Sequence, residues 1–231
     1  MAKPALSQSQ LLQFKIRLAT PRLSRIGRAF WDLPNLSEIF PEYLYMLFSS
    51  MRATVPLMER ARDRARELAD SDPVAAELAD YFAKHIGEEM HHDEWMLDDL
   101  EVLGFDRREI LARLPPAEVA AMIGAQYYWI EHSHPISLLG CFAVLEGNPI
   151  ATEELDRFLA HTTIPKEAVR TLYKHAEIDP HHRDDLNRLI DRLPLEPHHV
   201  ELLGISALDV VHKLSIVIEA VVAKSQAQQV A

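Results

Sequence analysis

Apolar residues recur along most of the chain with the three- and four-residue spacing of amphipathic helices, and the alternating pattern of a half-buried strand is nearly absent. Leu, Ala, Glu and Arg, which favour helix, abound, while glycine occurs only seven times in 231 residues. The pattern therefore predicts an all-α protein of seven to nine helices. Prolines and glycines mark the predicted joints, which fall at Pro41, Pro115 with Pro116, Pro135, Gly147 to Pro149, Pro165, Pro180, and Pro194 to Pro197.

One long helix is predicted over residues 73–103, because Asp72 suits an N-cap, Pro73 the first helical position and Gly104 the position after the last turn. With 48% hydrophobic residues, the chain is long enough to bury one core, and a single domain is expected over residues 36–224. Residues 1–35 are expected to form a helical extension packed on this bundle. The small polar segment 225–231 is expected to fray.

Charge and composition exclude several classes of function. A formal net charge of -11 argues against nucleic acid and against an anionic membrane as partner, since both require clustered Lys and Arg. The chain has no apolar run of membrane-spanning length and no apolar signal-peptide core in residues 1–13, so a cytoplasmic location is expected. The single cysteine, Cys141, excludes an internal disulfide and a thiolate cluster. The twelve histidines are therefore the most informative part of the composition.

The first candidate ligand set lies in A-K-H-I-G-E-E-M-H-H-D-E-W, inside the predicted helix 73–103. At about 100° per residue, His85, Glu88, Glu89 and His92 fall on one face of that helix. The run also fits a solvated helix face, which is the common role of clustered charges. A face turned to the core would need a metal ion to offset the cost of burying charge. The spacing Glu89-x-x-His92 is the one by which carboxylate-bridged di-iron bundles place two ligands on one helix.

The second set lies in Y-K-H-A-E-I-D-P-H-H-R, where His175, Asp179 and His182 are separated by four and then three residues. On a helix they fall within about 60° of one another. Two imidazoles and a carboxylate can hold iron and leave positions open for oxygen, although His and Asp are also frequent at helix ends. Pro180 predicts a kink or a helix restart between Asp179 and His182, which would act as a hinge.

Glu146 is the only acid in the apolar segment L-L-G-C-F-A-V-L-E-G-N-P. Its carboxylate either faces solvent at the Gly147 turn or is held inside by a cation, and the two other ligand sets favour the cation. Together the three segments supply six or seven ligands, which is the number that two iron ions require.

These three segments together resemble the heme-oxygenase-like di-iron oxidases and oxygenases, also called iron-containing redox enzymes. The resemblance extends over roughly residues 40–195 and implies a seven-helix, heme-oxygenase-like fold that holds two irons. Some members have a glutamate seven residues before His92, where this chain has His85. The sequence leaves open whether His85, Glu88 or Glu59 completes the ligand set. The other ligands that the resemblance implies are Glu89, His92, Glu146, His175, Asp179 and His182.

The activity that the resemblance implies is oxidation of a small organic substrate by dioxygen, with an electron donor as a further partner. N-oxygenation, desaturation and oxidative carbon–carbon cleavage of an amino-acid-like or fatty-acid-like molecule are all compatible, and manganese is an alternative metal. Glu89 and Glu146 are the expected catalytic carboxylates, which would bridge or cap the irons. Four residues before Pro135 are candidates for lining the substrate cavity, although such residues are more often core: Tyr127, Tyr128, Trp129 and His132.

Two alternative functions also fit the sequence. A metal-free relative of the same superfold, a thiaminase-like hydrolase or a cofactor-free oxidase, would use Cys141 as nucleophile, although Cys141 also fits a small buried hydrophobe. A non-catalytic bundle would expose an apolar stripe on the C-terminal helix, which is equally a candidate homodimer surface or core: Leu208, Val211, Leu214 and Val217. Structural or surface roles are expected for five further histidines: His134, His161, His198, His199 and His212.

Overall fold

The computed structural model describes residues 5–147 and 149–230. These residues form twelve α-helices, one 3₁₀ turn and the loops between them, and no strand occurs among them. The prediction of an all-α protein is confirmed, although the helices outnumber the predicted seven to nine. The elements are α1 Gln8–Ala19, α2 Pro21–Trp31, α3 Leu36–Met51, α4 Thr54–Leu68, α5 Pro73–Glu89, α6 His92–Val102, α7 Arg107–Ala112, α8 Ala117–His132, α9 Ser137–Leu145, α10 Thr152–Ala160, the 3₁₀ turn Lys166–Val169, α11 Arg170–Arg192 and α12 Pro197–Val230.

The predicted helix 73–103 begins where the sequence indicates. Oδ1 of Asp72 accepts hydrogen bonds from the backbone N–H groups of Val74 and Ala75, at 2.8 and 3.2 Å, and so caps α5. The prediction of one continuous helix is wrong, because α5 and α6 are separate. Met90 is extended and His91 adopts a left-handed conformation with φ of 71°, which ends the first helix.

Two prolines that were predicted to mark joints lie inside helices instead. Pro41 is within α3 and Pro180 is within α11. A proline inside a helix costs one backbone hydrogen bond, and the side chains around these two prolines offset that cost by burial. Phe40 and Leu44 are fully buried beside Pro41, and Asp179 beside Pro180 is also buried. The predicted hinge at Pro180 therefore appears as uninterrupted helix.

The core consists of two apolar clusters with α12 running along both. One cluster joins α4, α5 and α9 to the first half of α12, and the other joins α3, α6 and α10 to its second half. At 1.5 Å per residue α12 is about 51 Å long, and it packs against α1 and α2 as well as the bundle. The residues predicted as a frayed tail are helical as far as Val230, and Ala231 lies outside the described residues, as do residues 1–4 of the predicted extension.

The apolar stripe predicted on the C-terminal helix mostly belongs to the core. Val211 and Val217 are buried, Leu214 packs against the first cluster, and only Leu208 is exposed. Within the described residues, none of the helices has both the length and the apolar character needed to cross a bilayer.

Gly140 marks a close approach between α9 and α12. A Cβ atom at this position would lie 2.5 Å from the carbonyl oxygen of Leu203 and 3.1 Å from the backbone nitrogen of Ala207. We expect Gly140→Ala to lower the free energy of unfolding by about 1–3 kcal/mol, because α9 would have to move away from α12. Urea unfolding measures this. Gly124→Ala in α8 is the matched control, since its added methyl meets no atom within 4 Å, and equal stability of the two variants would contradict the prediction.

Candidate metal centre

Four parts of the fold converge on one polar cluster inside the bundle: the second half of α5, the start of α6, the end of α9 and the middle of α11. Each member of this cluster lies within contact distance of the next, so the structure brings together every ligand that the sequence predicts. The members are His85, Glu89, His92, Glu146, His175, Asp179 and His182. Below they are called the ligand cluster.

The turn between α5 and α6 determines how Glu89 and His92 face each other. Glu89 is the last residue of α5 and His92 the first of α6, with the left-handed His91 between them. Oε2 of Glu89 lies 3.0 Å from Nδ1 of His92, and both side chains are buried. The spacing predicted from the sequence is therefore realised by a helix break rather than by a regular helix face.

One half of the ligand cluster surrounds His85. Its Nε2 atom lies 3.3 Å from Oε1 of Glu146, and its ring meets the ring of His182 edge to face with centroids 4.6 Å apart. Nδ1 of His182 in turn lies 3.3 Å from Oε1 of Glu89. His85 is only 1% exposed, so its ring belongs to the interior of the site.

The other half extends from the second oxygen of Glu89. His92, which contacts that oxygen, meets the ring of His175 edge to face with centroids 5.1 Å apart. Nδ1 of His175 lies 3.0 Å from Oδ1 of Asp179, one turn further along α11. Glu89 therefore stands between two groups of candidate ligands and directs one oxygen to each.

Several polar atoms of the ligand cluster are buried and have no hydrogen-bond partner. They are Oε2 of Glu146, Nε2 of His175, and Nδ1 of His182, which is 3.3 Å from Oε1 of Glu89 but without the geometry of a hydrogen bond. Unpartnered buried polar atoms cost about 1–3 kcal/mol each, and native proteins rarely retain them without a reason. Carboxylate and imidazole atoms are the ligands that iron and manganese accept, so a cation fits this set of atoms.

In the first half of the ligand cluster the pKa values of His85 and Glu146 are both raised, for different reasons. Burial lowers the pKa of His85, but the hydrogen bond and the charge of Glu146 outweigh burial and raise that pKa to about 9. Burial raises the pKa of Glu146 despite the same contact. A proton shared by this pair neutralises charge that a metal ion would otherwise compensate.

In the second half of the ligand cluster, burial and neighbouring charges again shift the pKa values in opposite directions. Burial lowers the pKa of His175, yet Asp179 beside it raises that pKa above the usual value. Burial raises the pKa of Glu89, and the neighbouring histidines, His92 first, bring it below the usual value. Burial and the charge on His85 lower the pKa of His182. The acids of the ligand cluster thus raise the pKa values of His85 and His175 despite the burial of both rings.

The sequence leaves open which of three residues completes the ligand set, His85, Glu88 or Glu59, and these residues lie in different parts of the structure. Glu88 lies at the edge of the ligand cluster, 3.1 Å from Nδ1 of His85, and also pairs with Lys84 at 2.9 Å. One ligand atom each from His85, Glu88 and His182 lies within 4.8 Å of the others. Glu59 is exposed on α4, where its charge acts on Tyr127, and contacts none of the cluster. The structure therefore brings His85 and Glu88 to the site and leaves Glu59 outside it.

Trp95 stacks on the ring of His92. The two ring centroids are 4.0 Å apart, and Nζ of Lys174 lies 3.6 Å from the centroid of the indole on α6. Such stacking restricts rotation of the imidazole, and the cation adds an attraction to the ring face. No feature of the sequence indicates the contact made by Lys174.

Asp99 fixes the start of α11 relative to α6. Its Oδ2 atom accepts a hydrogen bond of 2.8 Å from the backbone N–H of Thr171, and Asp99 is completely buried. We expect Asp99→Ala to lower the free energy of unfolding by about 1–3 kcal/mol, because a buried N–H loses its partner. Metal affinity should fall as well, since His175 lies one turn after Thr171.

The matched control for this prediction is Asp98→Ala, at a half-buried neighbour that pairs with Arg107 and Arg170. Thermal unfolding and metal titration of both variants measure the effect. If Asp98→Ala were as harmful as Asp99→Ala, the role assigned to the buried carboxylate would be wrong.

A cavity of about 490 Å³ adjoins the ligand cluster and lies between the two core clusters. Glu89, Glu146, His175 and Asp179 form its polar end. The rest of the wall is mostly apolar and includes Met46, Leu57, Met96, Phe142, Leu172 and Ile218. A second depression of similar volume lies on the outer side of α1 and touches none of the predicted ligands. The first cavity is therefore the candidate substrate site.

The prediction that the aromatic residues before Pro135 line this cavity is wrong. Helix α8 reaches the cavity through Ile123, and Tyr128 is exposed. Cys141 does line the cavity, but burial holds the pKa of its thiol far above the usual range. The thiol is therefore protonated and poorly suited to act as a nucleophile.

Two of the remaining histidines form a separate polar cluster with Asp72. Nε2 of His134 lies 3.0 Å from Oδ2 of Asp72, and Nε2 of His199 lies 3.8 Å from the same oxygen. In both histidines Nδ1 accepts a hydrogen bond from a backbone N–H, so a neutral ring carries its proton on Nε2. Nε2 of His134 then donates to Asp72, whereas Nε2 of His199 is too far from the carboxylate for a hydrogen bond. This arrangement ties the N-terminus of α5 to α9 and α12, which is a structural role.

Comparison with known proteins identifies the fold and the family. The chain shares its fold with a domain of unknown function with a heme oxygenase-like fold from Shewanella denitrificans, at a TM-score of 0.73, 15% identity, and 96% and 91% coverage of the two chains. A TenA homolog from Pseudomonas syringae pv. tomato gives a TM-score of 0.70, 12% identity, and 96% and 98% coverage. No curated protein is significantly similar in sequence. Residues 42–203 match the family described as iron-containing redox enzyme, and the chain belongs to that family.

Proposed function

We propose that this protein is a non-heme di-iron oxidase or oxygenase that uses dioxygen to oxidise a small organic substrate. The observation that carries the proposal is the buried ligand cluster with unpartnered donor atoms at the polar end of an apolar cavity. Membership of an iron-containing redox enzyme family supports iron as the metal.

The arrangement around Glu89 favours two ions over one. Glu146, His85 and His182 lie on the side of one of its oxygens, and His92, His175 and Asp179 lie on the side of the other. Each side offers at least two imidazoles or carboxylates besides the shared Glu89. Four imidazoles and three carboxylates suit iron or manganese better than calcium or magnesium, which prefer oxygen ligands.

Iron bound here would supply redox electrons and open coordination positions for dioxygen. The protein itself orients the ligands, since Trp95 stacks on His92 and Glu88 contacts the outer nitrogen of His85. Glu146, whose pKa is raised by burial, is the carboxyl group of the site best suited to hold a proton beside the cavity. The apolar wall excludes water from the substrate. The reaction that follows is an N-oxygenation, a desaturation or an oxidative carbon–carbon cleavage.

A metal-free hydrolase or oxidase that uses Cys141 is the alternative, and the position of Cys141 on the cavity wall is the observation in its favour. The raised pKa of its buried thiol opposes it. Cys141→Ala separates the two functions, because it should leave a metal-dependent reaction intact and abolish a reaction that needs the thiolate.

The experiment that tests the proposal is anaerobic loading with ferrous iron, elemental analysis, and stopped-flow mixing with oxygenated buffer. We expect about two irons per chain and a transient visible absorption band in the wild type, and loss of both in His175→Ala. His212→Ala, which changes an exposed histidine on α12, is the matched control. Absence of iron from the wild type, or equal iron in both variants, would refute the di-iron proposal. Manganese binding without a reaction toward oxygen would refute the oxygenase activity alone.

A further inference from the structure

The first two helices carry charge of the opposite sign to the chain as a whole. Residues 5–31 contain five lysines and arginines and no aspartate or glutamate, whereas the whole chain has 24 Lys and Arg against 35 Asp and Glu. All five cations are exposed: Lys15, Arg17, Arg22, Arg25 and Arg28. Within the described residues only Arg22 among them forms an ion pair, with Glu219 of α12. The negative net charge, which argues against an anionic membrane as partner, is therefore not a property of this segment.

Exposed apolar side chains are concentrated on α1 and on the part of α12 beside it. More than half of the exposed large hydrophobic residues in the described part of the chain lie in these two places. They are Leu6, Leu11, Phe14 and Leu18 at α1, and Ile205, Leu208 and Ile216 on α12. Leu11, Phe14 and Leu18 are spaced by three and four residues, so they form one outward row, called the apolar stripe below. Phe14 is 49% exposed and Leu18 is 66% exposed, so both side chains protrude from the surface.

Helices α1 and α2 follow one another along one side of α12. Nζ of Lys15 on α1 lies against Gly204, where it would be 3.2 Å from an added Cβ atom. Arg22 on α2 contacts Glu219 at 2.6 Å. At about 100° per residue, Gly204, Leu208 and Glu219 fall within about 60° of one another around α12. The outward residues of α1 and α2 therefore lie on one side of the molecule and form what is called the basic apolar face below: Leu11, Phe14, Lys15, Arg17, Leu18, Arg25, Arg28 and Leu208.

The basic apolar face borders the cavity beside the ligand cluster. Among the residues that the structure describes in the cavity wall, only Arg17 on α1 and Ser24 on α2 are exposed. Thr20, between the two helices, also lines the cavity. The joint between α1 and α2 is therefore the most exposed part of the described wall, and a partner that covers the basic apolar face also lies over this joint.

The arrangement of charge favours a lipid surface over a protein partner. Protein interfaces place apolar residues at the centre and charged residues at the rim, and lysine is depleted in them. On α1, in contrast, Lys15 and Arg17 lie between Phe14 and Leu18. Such alternation suits a membrane interface, where inserted apolar side chains lie beside cations that reach lipid phosphates. A second copy of this chain would meet the face with the same cations, because a two-fold interface pairs a surface with itself, and no acid of α1 or α2 would neutralise them.

We propose that α1 and α2 dock this protein on a lipid surface that contains anionic headgroups. The apolar stripe enters the boundary between headgroups and acyl chains, and the four cations without ion pairs bind headgroup phosphates. Docking in this orientation turns the joint between α1 and α2, and the cavity wall that it forms, toward the membrane. The inference goes beyond the proposed oxidation and is separable from it, since the basic apolar face contains no member of the ligand cluster.

The charge requirement is tested by co-sedimentation of the full chain with vesicles of phosphatidylcholine alone and of phosphatidylcholine mixed with phosphatidylserine. We expect binding to the mixed vesicles that weakens as salt rises, and much weaker binding to phosphatidylcholine alone. The double variant Arg25→Gln with Arg28→Gln should bind the mixed vesicles about 25-fold more weakly, at about fivefold for each cation. Arg108→Gln with Lys166→Gln is the matched control, because it removes the same charge from two exposed cations that form no ion pair with a described residue.

The apolar requirement is tested by the double variant Phe14→Ser with Leu18→Ser, which should weaken binding to the mixed vesicles about tenfold. Phe105→Ser with Leu114→Ser is the matched control, since it changes an exposed pair of the same residue types away from α1. Circular dichroism and iron content are measured on every variant. Both should equal the wild-type values, because the replaced side chains are exposed and none belongs to the ligand cluster.

Failure of the wild type to bind the mixed vesicles would overturn the inference, as would equal binding to both kinds of vesicle or equal loss in the variants and their controls. A dimer in sedimentation equilibrium that Phe14→Ser with Leu18→Ser abolishes, without any vesicle binding, would assign the basic apolar face to a second copy instead. If the wild type holds iron and does not bind vesicles, the docking inference fails and the metal function stands. If vesicle binding is as expected and no iron is held, the reverse applies.

Discussion

Replacement of Glu89 by alanine should weaken binding of the two metal ions proposed above by at least about 100-fold. Partners that only orient a ligand cost about 10–100-fold when removed, and Glu89 lies closer to the centre than such partners do. Its two oxygens lie 3.0 Å from His92 and 3.3 Å from His182, so its loss disconnects the two halves of the cluster. Metal titration monitored by elemental analysis after gel filtration measures the effect.

Glu94→Ala is the matched control, because Glu94 is an exposed acid of α6 whose partner is the exposed His91. Metal content should be unchanged in this variant. A Glu89→Ala protein that still held two ions with wild-type affinity would remove Glu89 from the ligand set. One retained ion would instead show that the two halves bind independently, contrary to a bridging role.

The affinity for metal should rise about tenfold for each pH unit between roughly pH 6.5 and 8, and metal binding should release protons. In the metal-free protein the pKa of His85 is raised to about 9, so this histidine carries a proton throughout that range. A metal ligand must be a neutral imidazole, and each binding event therefore displaces at least this proton. The same proton stabilises the metal-free fold below about pH 6.5, and that stabilisation is lost as pH rises through about 9.

Titration with manganous ion, which resists oxidation in air, measures the affinity at several pH values and the protons released in weak buffer. His85→Gln should reduce the change in metal affinity with pH by about one power of ten per pH unit, because it removes one titrating group. His91→Gln, at an exposed histidine, should leave the dependence unchanged. An affinity independent of pH would show that the metal-free cluster does not hold the proton assigned to His85.

The sequence predicted the all-α fold from residue periodicity, because an apolar repeat of three and four residues is a local property of the chain. It also identified the members of the ligand cluster. Histidines and acids recur in two segments at spacings that place ligands on one side of a helix, and a lone acid in an apolar stretch is costly to bury. Glu146 is the clearest case, since it is the only acid in its segment and the structure places it against His85.

Tertiary structure alone determined how these residues meet. The helix break at His91 depends on a left-handed backbone conformation that no proline or glycine marks. Pro180 was predicted to interrupt α11, but burial of Asp179 and His182 holds the helix through it. The cavity wall likewise joins residues from both ends of the chain, including Arg17 and Ile218.

The helical class and the chemical types of the candidate ligands are therefore predictable from the sequence, since both follow from local spacing and composition. The folded structure is needed to find the pairing of oxygens and nitrogens around Glu89, the exclusion of Glu59, the core position of Val211 and Val217, and the shape of the cavity. Those features depend on contacts between residues far apart in the chain, and they follow from packing energies that no single segment contains.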